Sequence, residues 1–204
     1  MLTQTIFTID ATHPEVKKDL VDCHGFHKRT MRLFSHVNDT RDVNEVLYRV
    51  DPTIEPITLL VQAQQYPDVT SLPHGYAKPP IQSTDIQTAL DAFVPGQVAS
   101  FVLIANPTKK SLISHQRVDL TDPGEIIAWL DRRMVAAGCQ IHLSSLKAPK
   151  LPAIVGVHPK GKLTFSVYRF SGVLTITDVA LLQNAMVGGI GPGKAYGCGL
   201  LTLQ

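Results

Sequence analysis

Residues 188–199 read GGIGPGKAYGCG, and the short apolar run LLTL follows at 200–203. Six of the chain's 14 glycines lie in these twelve positions, so the backbone here can adopt positive φ angles and approach other backbone closely. Exposed amide N–H groups around Lys194 could hold an anion. The alternative is a plain glycine-rich connection before an edge strand. The stretch lacks the GxxxxGK[ST] spacing of a nucleotide-binding P-loop.

The composition predicts a folded chain with no strong bias toward one ligand class. The 204 residues are 44% hydrophobic, which suffices for one large domain or two small ones, and the net charge of +2 does not by itself indicate nucleic-acid binding. Cys23, Cys139 and Cys198 are too far apart in sequence to suggest a disulfide framework or a zinc site. With no apolar run near the length of a membrane span, we expect a soluble cytoplasmic protein.

The first half begins with a strand pattern and then a helix pattern. Residues 2–10 alternate as a half-buried strand, and Asp22 is typical of a helix N-cap. The helix is predicted to run to about Ser35. Its apolar stripe consists of Phe26, Leu33, Phe34 and Val37.

Further patterns complete this half. Residues 47–50 and 57–63 predict two antiparallel strands around a turn-rich linker. The proline-rich residues 66–80 are weakly patterned, and we expect them to wrap the first half or to serve as a connection.

A similar order returns in the second half. Residues 97–105 predict a strand, and Asp122-Pro123 predicts the start of a helix with proline in its first turn. The buried face of that helix is expected to comprise Ile126, Ile127, Trp129, Leu130, Met134 and Val135. Strand patterns follow at 154–157, 162–170 and 173–176, and Asp178 can cap a last helix.

Two successive β-α-β-β-like units, each near 100 residues, are typical of an α+β fold built from tandem ferredoxin-like (RRM-like, split βαβ) domains. The predicted domains are residues 1–92, which carry the histidine-bearing helix, and residues 93–204, which carry the glycine-rich stretch. Such an architecture hosts many functions, so function has to be argued from the sites.

His24 and His27 are spaced i and i+3 on the predicted first helix, so both rings project from one flank about one turn apart. Histidine can serve as general acid or base near neutral pH, and the cations that follow could hold phosphate. These cations are Lys28, Arg29 and Arg32. The alternatives are a pair of solvated histidines and an incomplete metal site, and no metal is predicted because no Asp, Glu or Cys partner is evident.

The second half carries a local excess of positive charge. Residues 147–175 contain four lysines, one arginine and no acidic residue, and such a run is typical of a nucleic-acid-binding face. The lysines are Lys147, Lys150, Lys160 and Lys162, and Lys109 adds further charge to this half. In isolation, a lysine pair such as that around Gly161 is more typical of a solvated hairpin turn.

Several segments together resemble one family. GIGPGKAYGCGLL at 189–201 resembles the C-terminal glycine-rich motif of the CasE pre-crRNA endoribonucleases, the repeat-cleaving subunit of type I-E CRISPR systems. FVLIANPTK at 101–109, AWLDRR at 128–133 and FSGVLTI at 170–176 resemble further family segments in the same order. His27 matches the catalytic histidine of the family.

The resemblance implies tandem ferredoxin-like domains, with RNA held across their cleft and along the second domain, and a metal-independent, cofactor-free reaction. The ribose 2′-OH attacks the adjacent phosphate and leaves a 2′,3′-cyclic phosphate and a 5′-OH. Carried over, His27 would be the general base or acid, while Lys160, with Lys162 as a second candidate, would neutralise the phosphorane. Gly191, Gly193 and Lys194 would brace the bound RNA.

The chain departs from the family at one position. Where the family often has tyrosine three residues before the catalytic histidine, this chain has His24, and we expect His24 to contribute to the reaction. The alternative is that His24 is inert and His27 works with the lysines. The predicted partners are the CRISPR repeat hairpin and the other subunits of the crRNA-guided surveillance complex. The rival hypothesis is a non-catalytic RNA-binding subunit of the same complex.

Overall fold

The computed structural model describes residues 1–34, 45–51, 53–113 and 115–204. The strands are β1 (Thr3–Ile9), β2 (Leu47–Val50), β3 (Thr58–Ala63), β4 (Ala77–Asp85), β5 (Val98–Ala105), β6 (Thr108–Lys110), β7 (Arg117–Asp119), β8 (Cys139–Ile141), β9 (Ile154–His158), β10 (Gly161–Phe165), β11 (Tyr168–Ile176) and β12 (Leu201–Leu203). The α-helices are α1 (Pro14–Val21), α2 (Cys23–Arg32), α3 (Gln87–Asp91), α4 (Pro123–Ala136) and α5 (Val179–Gly188). No helix of these described residues is long and apolar enough to cross a membrane.

The chain divides into two compact units. The first comprises residues 1–91, 154–164 and 195–197, and the second comprises 92–153, 165–194 and 198–204. The long first segment ends at residue 91, whereas the sequence-based expectation divides the chain between residues 92 and 93. Two later segments also belong to the first unit, and they bring β9, most of β10 and Tyr196 into it.

The first unit is built on a four-stranded antiparallel sheet in the order β2-β3-β1-β4. Strand β1 occupies an inner position and pairs with β3 from Thr3 opposite Ala63 to Thr8 opposite Thr58. Alternate residues of β1, among them Phe7 and Ile9, are buried, as the period of a strand with one covered face requires. They pack with Val16 of α1 and Phe26 of α2 in one apolar cluster.

The second unit contains a four-stranded sheet in the order β12-β5-β11-β8. Strands β5 and β11 form its longest ladder, from Tyr168 opposite Ala105 to Thr175 opposite Val98. Helix α4 begins at an Asp122 N-cap with Pro123 in the first turn, as the sequence predicts. The strand predicted at 97–105 and the Asp178-capped helix are likewise confirmed.

Several details differ from the sequence-based expectations, among them the strand predicted at 162–170, which is divided between β10 and β11. Residues 77–80 begin the edge strand β4 rather than lying in a connecting segment, and helix α1 was not predicted at all. On α4, Ile127 and Val135 are exposed, because their positions, eight residues apart, lie beside the buried stripe rather than within it.

The histidine-bearing helix is the second helix of the chain and ends at Arg32. Leu33 and Phe34 are buried just beyond that end. The predicted helix end at Ser35 and the apolar residue Val37 lie outside the described residues.

Candidate active site

Asp22 sets the geometry at the start of α2. Helix α1 ends at Val21, and Asp22 adopts an extended conformation that separates the two helices. Its carboxylate accepts a hydrogen bond from the backbone N–H of His24 at 3.1 Å, which satisfies one of the free donors of the first turn. His24 is therefore held in the first turn of α2, and His27 follows on the same flank.

The β9–β10 hairpin packs against this helix start within the first unit. The backbone N–H of Val157 donates to Oδ1 of Asp22 at 3.1 Å, so one carboxylate both caps α2 and holds β9. A Cβ atom on Gly156 would lie 2.6 Å from that oxygen and 2.7 Å from Sγ of Cys23, so only glycine permits this approach. The sequence gives no direct sign of this contact, which joins residues 135 positions apart.

The hairpin brings a third histidine to the site. The rings of His24 and His158 lie 4.8 Å apart between centroids and meet edge to face at 72°. The backbone N–H of Lys160 donates to Nδ1 of His158 at 3.1 Å, and the side chain of Lys160 is exposed. Two residues of the predicted catalytic set, His24 and Lys160, are thus both in contact with His158.

His27 is buried, with 5% of its surface exposed. The ring of Tyr196 lies edge-on to it, with 5.8 Å between the ring centroids. The segment that carries Tyr196 is fixed by Tyr48, whose hydroxyl donates to the carbonyl oxygen of Ala195 at 3.0 Å, and Tyr48 stacks on Phe26 of α2. Sequence reasoning missed Tyr196, although it lies inside the glycine-rich stretch.

Cys23 lies beside His24 but is not poised for nucleophilic chemistry. Burial, assisted by the negative charge of Asp22, raises the pKa of its thiol to about 11. The group therefore remains a neutral thiol near pH 7, and thiolate chemistry at this site is disfavoured.

Arg29, one of the predicted RNA contacts, is paired with acidic residues of the first unit. Its Nε donates to Asp19 and its Nη2 donates to Glu15 of α1, each at 2.8 Å. The buried Tyr76 hydroxyl donates to the same Asp19 carboxylate at 2.9 Å, and burial with that neighbouring charge raises the pKa of Tyr76. Only 13% of the Arg29 side chain is exposed, so this guanidinium joins α1 to α2.

The remaining predicted cations are exposed, but they are divided between the two units. Lys28 and Arg32 on α2 and Lys160 and Lys162 on the β9–β10 hairpin belong to the first unit; Lys109, Lys147, Lys150 and Lys194 belong to the second. The lysine-rich run read from the sequence is thus not one continuous patch of a single unit. Lys109 pairs with Glu125 at 2.6 Å on the surface.

The two glycines predicted to contact RNA have packing roles in the second unit. A Cβ atom on Gly191 would lie 3.0 Å from the Trp129 ring, and one on Gly193 would lie 3.3 Å from Cys198. Both have positive φ angles. Lys194 follows them as an exposed residue at the start of a short 3₁₀ turn, Lys194–Tyr196.

The described part of the chain contains no group of three or more His, Cys, Asp or Glu side chains arranged to hold a metal ion. The first unit does contain three histidines and a lysine at this site: His24 and His27 lie on α2, and the ring of His158 contacts that of His24. The lysine is Lys160, whose backbone N–H donates to His158. Such a set can exchange protons and neutralise a phosphate.

Comparison with known proteins shows which proteins this chain resembles in sequence. The chain is 31% identical over 203 residues to the CRISPR-associated endoribonuclease Cse3 of Thermus thermophilus, with 92% of each chain covered. It is 30% identical over 197 residues to the CRISPR system Cascade subunit CasE of Escherichia coli, with 89% of this chain and 92% of CasE covered.

Solved structures agree with the sequence relatives. A structure of the CRISPR endoribonuclease Cse3 bound to a 19-nucleotide RNA superposes with a TM-score of 0.84 at 27% identity and covers the full length of both chains. The sequence model of the family described as CRISPR associated protein matches residues 4–204. The CasE resemblance in the sequence is therefore confirmed, and this chain belongs to the CRISPR associated protein family.

Proposed function

We propose that this protein is a metal-independent endoribonuclease that cleaves CRISPR repeat RNA at the base of its hairpin. It then retains the crRNA as a subunit of the surveillance complex. The observation that carries the proposal is the grouping, within one unit, of His24 and His27 on α2 with the Lys160 turn reached through His158. The names of the relatives, an endoribonuclease and a Cascade subunit, support the same activity and assembly.

The proposed reaction is an internal transfer of the phosphoryl group. The 2′-oxygen upstream of the scissile bond loses its proton to His27 and forms a bond to phosphorus, and the bond from phosphorus to the 5′-oxygen breaks. The leaving oxygen takes up a proton and ends as a 5′-OH, while the other product ends in a 2′,3′-cyclic phosphate. His24 and Lys160 are the two candidate proton donors.

Lys160 has a second role in this scheme. Negative charge builds up on the non-bridging oxygens as phosphorus becomes five-coordinate, and an ammonium placed in advance stabilises that charge more than it stabilises the starting diester. Lys160 is exposed at the hairpin turn and can reach a bound phosphate without losing an internal partner seen in the described residues. Lys162 lies on the same hairpin as the alternative cation.

We propose that RNA is held by exposed cations of both units. The set comprises Lys28, Arg32, Lys109, Lys147, Lys150, Lys162 and Lys194, with the Gly191–Gly193 turn shaping the backbone next to Lys194. Lys109 remains in the set because a surface ion pair such as that with Glu125 is worth less than about 1 kcal/mol and can yield to a phosphate. Arg29 is omitted because its ion pairs with Asp19 and Glu15 are largely buried.

We also propose that both units are ferredoxin-like, with the principal boundary near residues 92–93 and a cytoplasmic location. The sheet orders support this fold. When the strands of each sheet are renumbered in chain order, β2-β3-β1-β4 and β12-β5-β11-β8 describe the same arrangement, with the first strand between the third and the fourth. In the first unit, the position of the second crossover helix holds only the short 3₁₀ turn Val69–Ser71.

The proposal is tested by incubating the protein with its own repeat RNA in EDTA. We expect one cut at the hairpin base with a cyclic phosphate on the upstream product. An RNA carrying a single 2′-deoxy nucleotide before the scissile phosphate should bind equally well and remain intact. Binding without any cut of the all-ribose RNA would favour the rival hypothesis, a non-catalytic RNA-binding subunit.

A further inference from the structure

His158 makes two contacts that no other described residue combines. Its ring meets the His24 ring on α2, with centroids 4.8 Å apart, and its Nδ1 accepts the backbone N–H of Lys160 at 3.1 Å. One imidazole therefore bridges the helix that carries the histidines and the turn that carries the lysine.

We propose that His158 is a positioning residue that fixes the Lys160 turn against α2, an inference that rests on the proposed cleavage of RNA. It acts through Lys160 and His24 and takes no proton from the substrate itself. Nδ1 of His158 must carry a lone pair in order to accept the N–H of Lys160, so the proton of the neutral ring lies on Nε2.

The rest of the hairpin explains why such a residue is needed. Asp22 holds β9 at Val157, and Gly156 allows the close approach to Cys23, so the hairpin is fixed up to the residue before His158. Lys160 lies three residues beyond Val157, in an exposed turn followed by Gly161 with φ +133°. His158 extends the fixed region across that gap, which lowers the entropy that Lys160 would lose on meeting a phosphate.

The two contacts can be separated by substitution. In His158→Asn, the short side-chain carbonyl can still accept the N–H two residues later, as in an Asx turn, but the ring contact is lost. In His158→Phe, a ring remains beside His24 and the acceptor is lost. If the acceptor carries the positioning, His158→Phe should lower the single-turnover cleavage rate by about tenfold, with RNA affinity within about twofold of wild type. His158→Asn should recover most of that rate.

The chain provides a matched control. Nδ1 of His13 accepts the N–H of Glu15 at 3.2 Å, which is the same contact two residues along, at the start of α1. His13→Phe removes the same kind of acceptor outside the proposed site, and its cleavage rate should equal that of wild type. A His158→Phe enzyme that cleaves at the wild-type rate would overturn the positioning role.

A second measurement needs no RNA. Amide hydrogen exchange at Lys160, followed by NMR, should be faster in His158→Phe than in wild type and should return toward wild type in His158→Asn. Unchanged exchange in His158→Phe overturns the inference even if the protein proves to bind RNA without cutting it. A wild-type protein that fails to cleave contradicts the proposed function instead, and the exchange data still decide the role of His158.

Discussion

The two units share one sheet order, yet α2, the longer of the two described helices between β1 and β2, and α4 of the second unit bury different residues. Helix α4 buries Ile126, Trp129, Leu130 and Met134, all of them apolar. Helix α2 buries Cys23, Phe26, His27 and Thr30, and it carries a second histidine on the same flank as His27. Both units thus have an apolar core, but α2 adds two histidines to a helix that also contributes Phe26 to the core, whereas the buried face of α4 is apolar throughout.

The contacts that hold the two helices differ in the same way. Both helices have an Asp N-cap and a buried apolar face, but α2 is held in addition by the contact of Asp22 with Val157 and by the Arg29 ion pairs to α1. Around α4, glycines permit close packing of backbone and rings, as at Gly138 and Gly191. Directional contacts fix a reactive side chain in one geometry, whereas apolar packing contributes stability with less demand on orientation.

The largest effect on stability is expected where backbone packing in the second unit is tightest. Gly138 has φ +69°, and a Cβ atom there would lie 2.2 Å from the carbonyl oxygen of Asp178. Gly138→Ala should lower the free energy of unfolding by about 3 kcal/mol or more, the sum of left-handed strain and overpacking, measured by urea denaturation.

Gly188→Ala is the matched control for that change. Gly188 is the last residue of α5, and a Cβ atom there meets no other atom within 4 Å. Alanine should stabilise the protein slightly, by about 0.5 kcal/mol. Equal losses for the two alanines would contradict the account of close packing at Gly138.

The next largest loss of stability is expected on removing the ion pairs of Arg29 in the first unit. Arg29→Met should cost about 3 kcal/mol of unfolding free energy, because it leaves the buried Asp19 carboxylate without its cation. Lys17→Met on α1 removes an exposed cation and should change stability by less than about 0.5 kcal/mol. If Arg29→Met is no more harmful than Lys17→Met, the guanidinium does not join the helices.

A pH prediction compares one thiol from each unit. Burial raises the pKa of Cys139 to about 11, and burial with Asp22 does the same for Cys23, against an ordinary value of 9.0. Alkylation by iodoacetamide at about pH 8 should be much slower at both than in the unfolded chain. The folded state holds these two thiol protons more tightly than the unfolded chain does. The contribution of the two thiols to the free energy of unfolding should therefore be fully present below about pH 9 and should be lost as the pH rises toward about 11.

The smallest of the predicted effects is the loss of RNA affinity on replacing Lys194. Lys194→Ala should weaken RNA binding only a few-fold and reduce the salt dependence of binding by about one counterion, because one exposed ammonium contributes one phosphate contact. The cleavage rate at saturating protein should not change. A Lys194→Ala variant with unchanged affinity would remove this residue from the RNA-binding set.

The sequence predicted the features that are local. The Asp22 and Asp122 caps, the Pro123 helix start and the spacing of His24 and His27 all follow from contacts within a few residues, and each is present in the structure. The identity of the family also followed from the sequence, because its motifs are long and occur in a fixed order.

The features that the sequence did not reveal depend on residues far apart along the chain. Tyr196 reaches His27, and Val157 reaches Asp22, only because later segments return to the first unit. The ion pairs of Arg29 with Asp19 and Glu15 could not be predicted, because both partners lie on α1, a helix whose pattern is too short and polar to recognise. A charge pattern shows which groups are present but not which of them are already paired.

The central claim is that cleavage depends on His27 and needs no metal. Its most direct test is single-turnover cleavage of the repeat RNA in EDTA by wild type, His27→Ala and His74→Ala, the last of which removes an exposed histidine of the same unit. We predict that His27→Ala is slower by about 10²–10⁴-fold with nearly unchanged RNA affinity, and that His74→Ala matches wild type. Wild-type cleavage by His27→Ala would contradict the account.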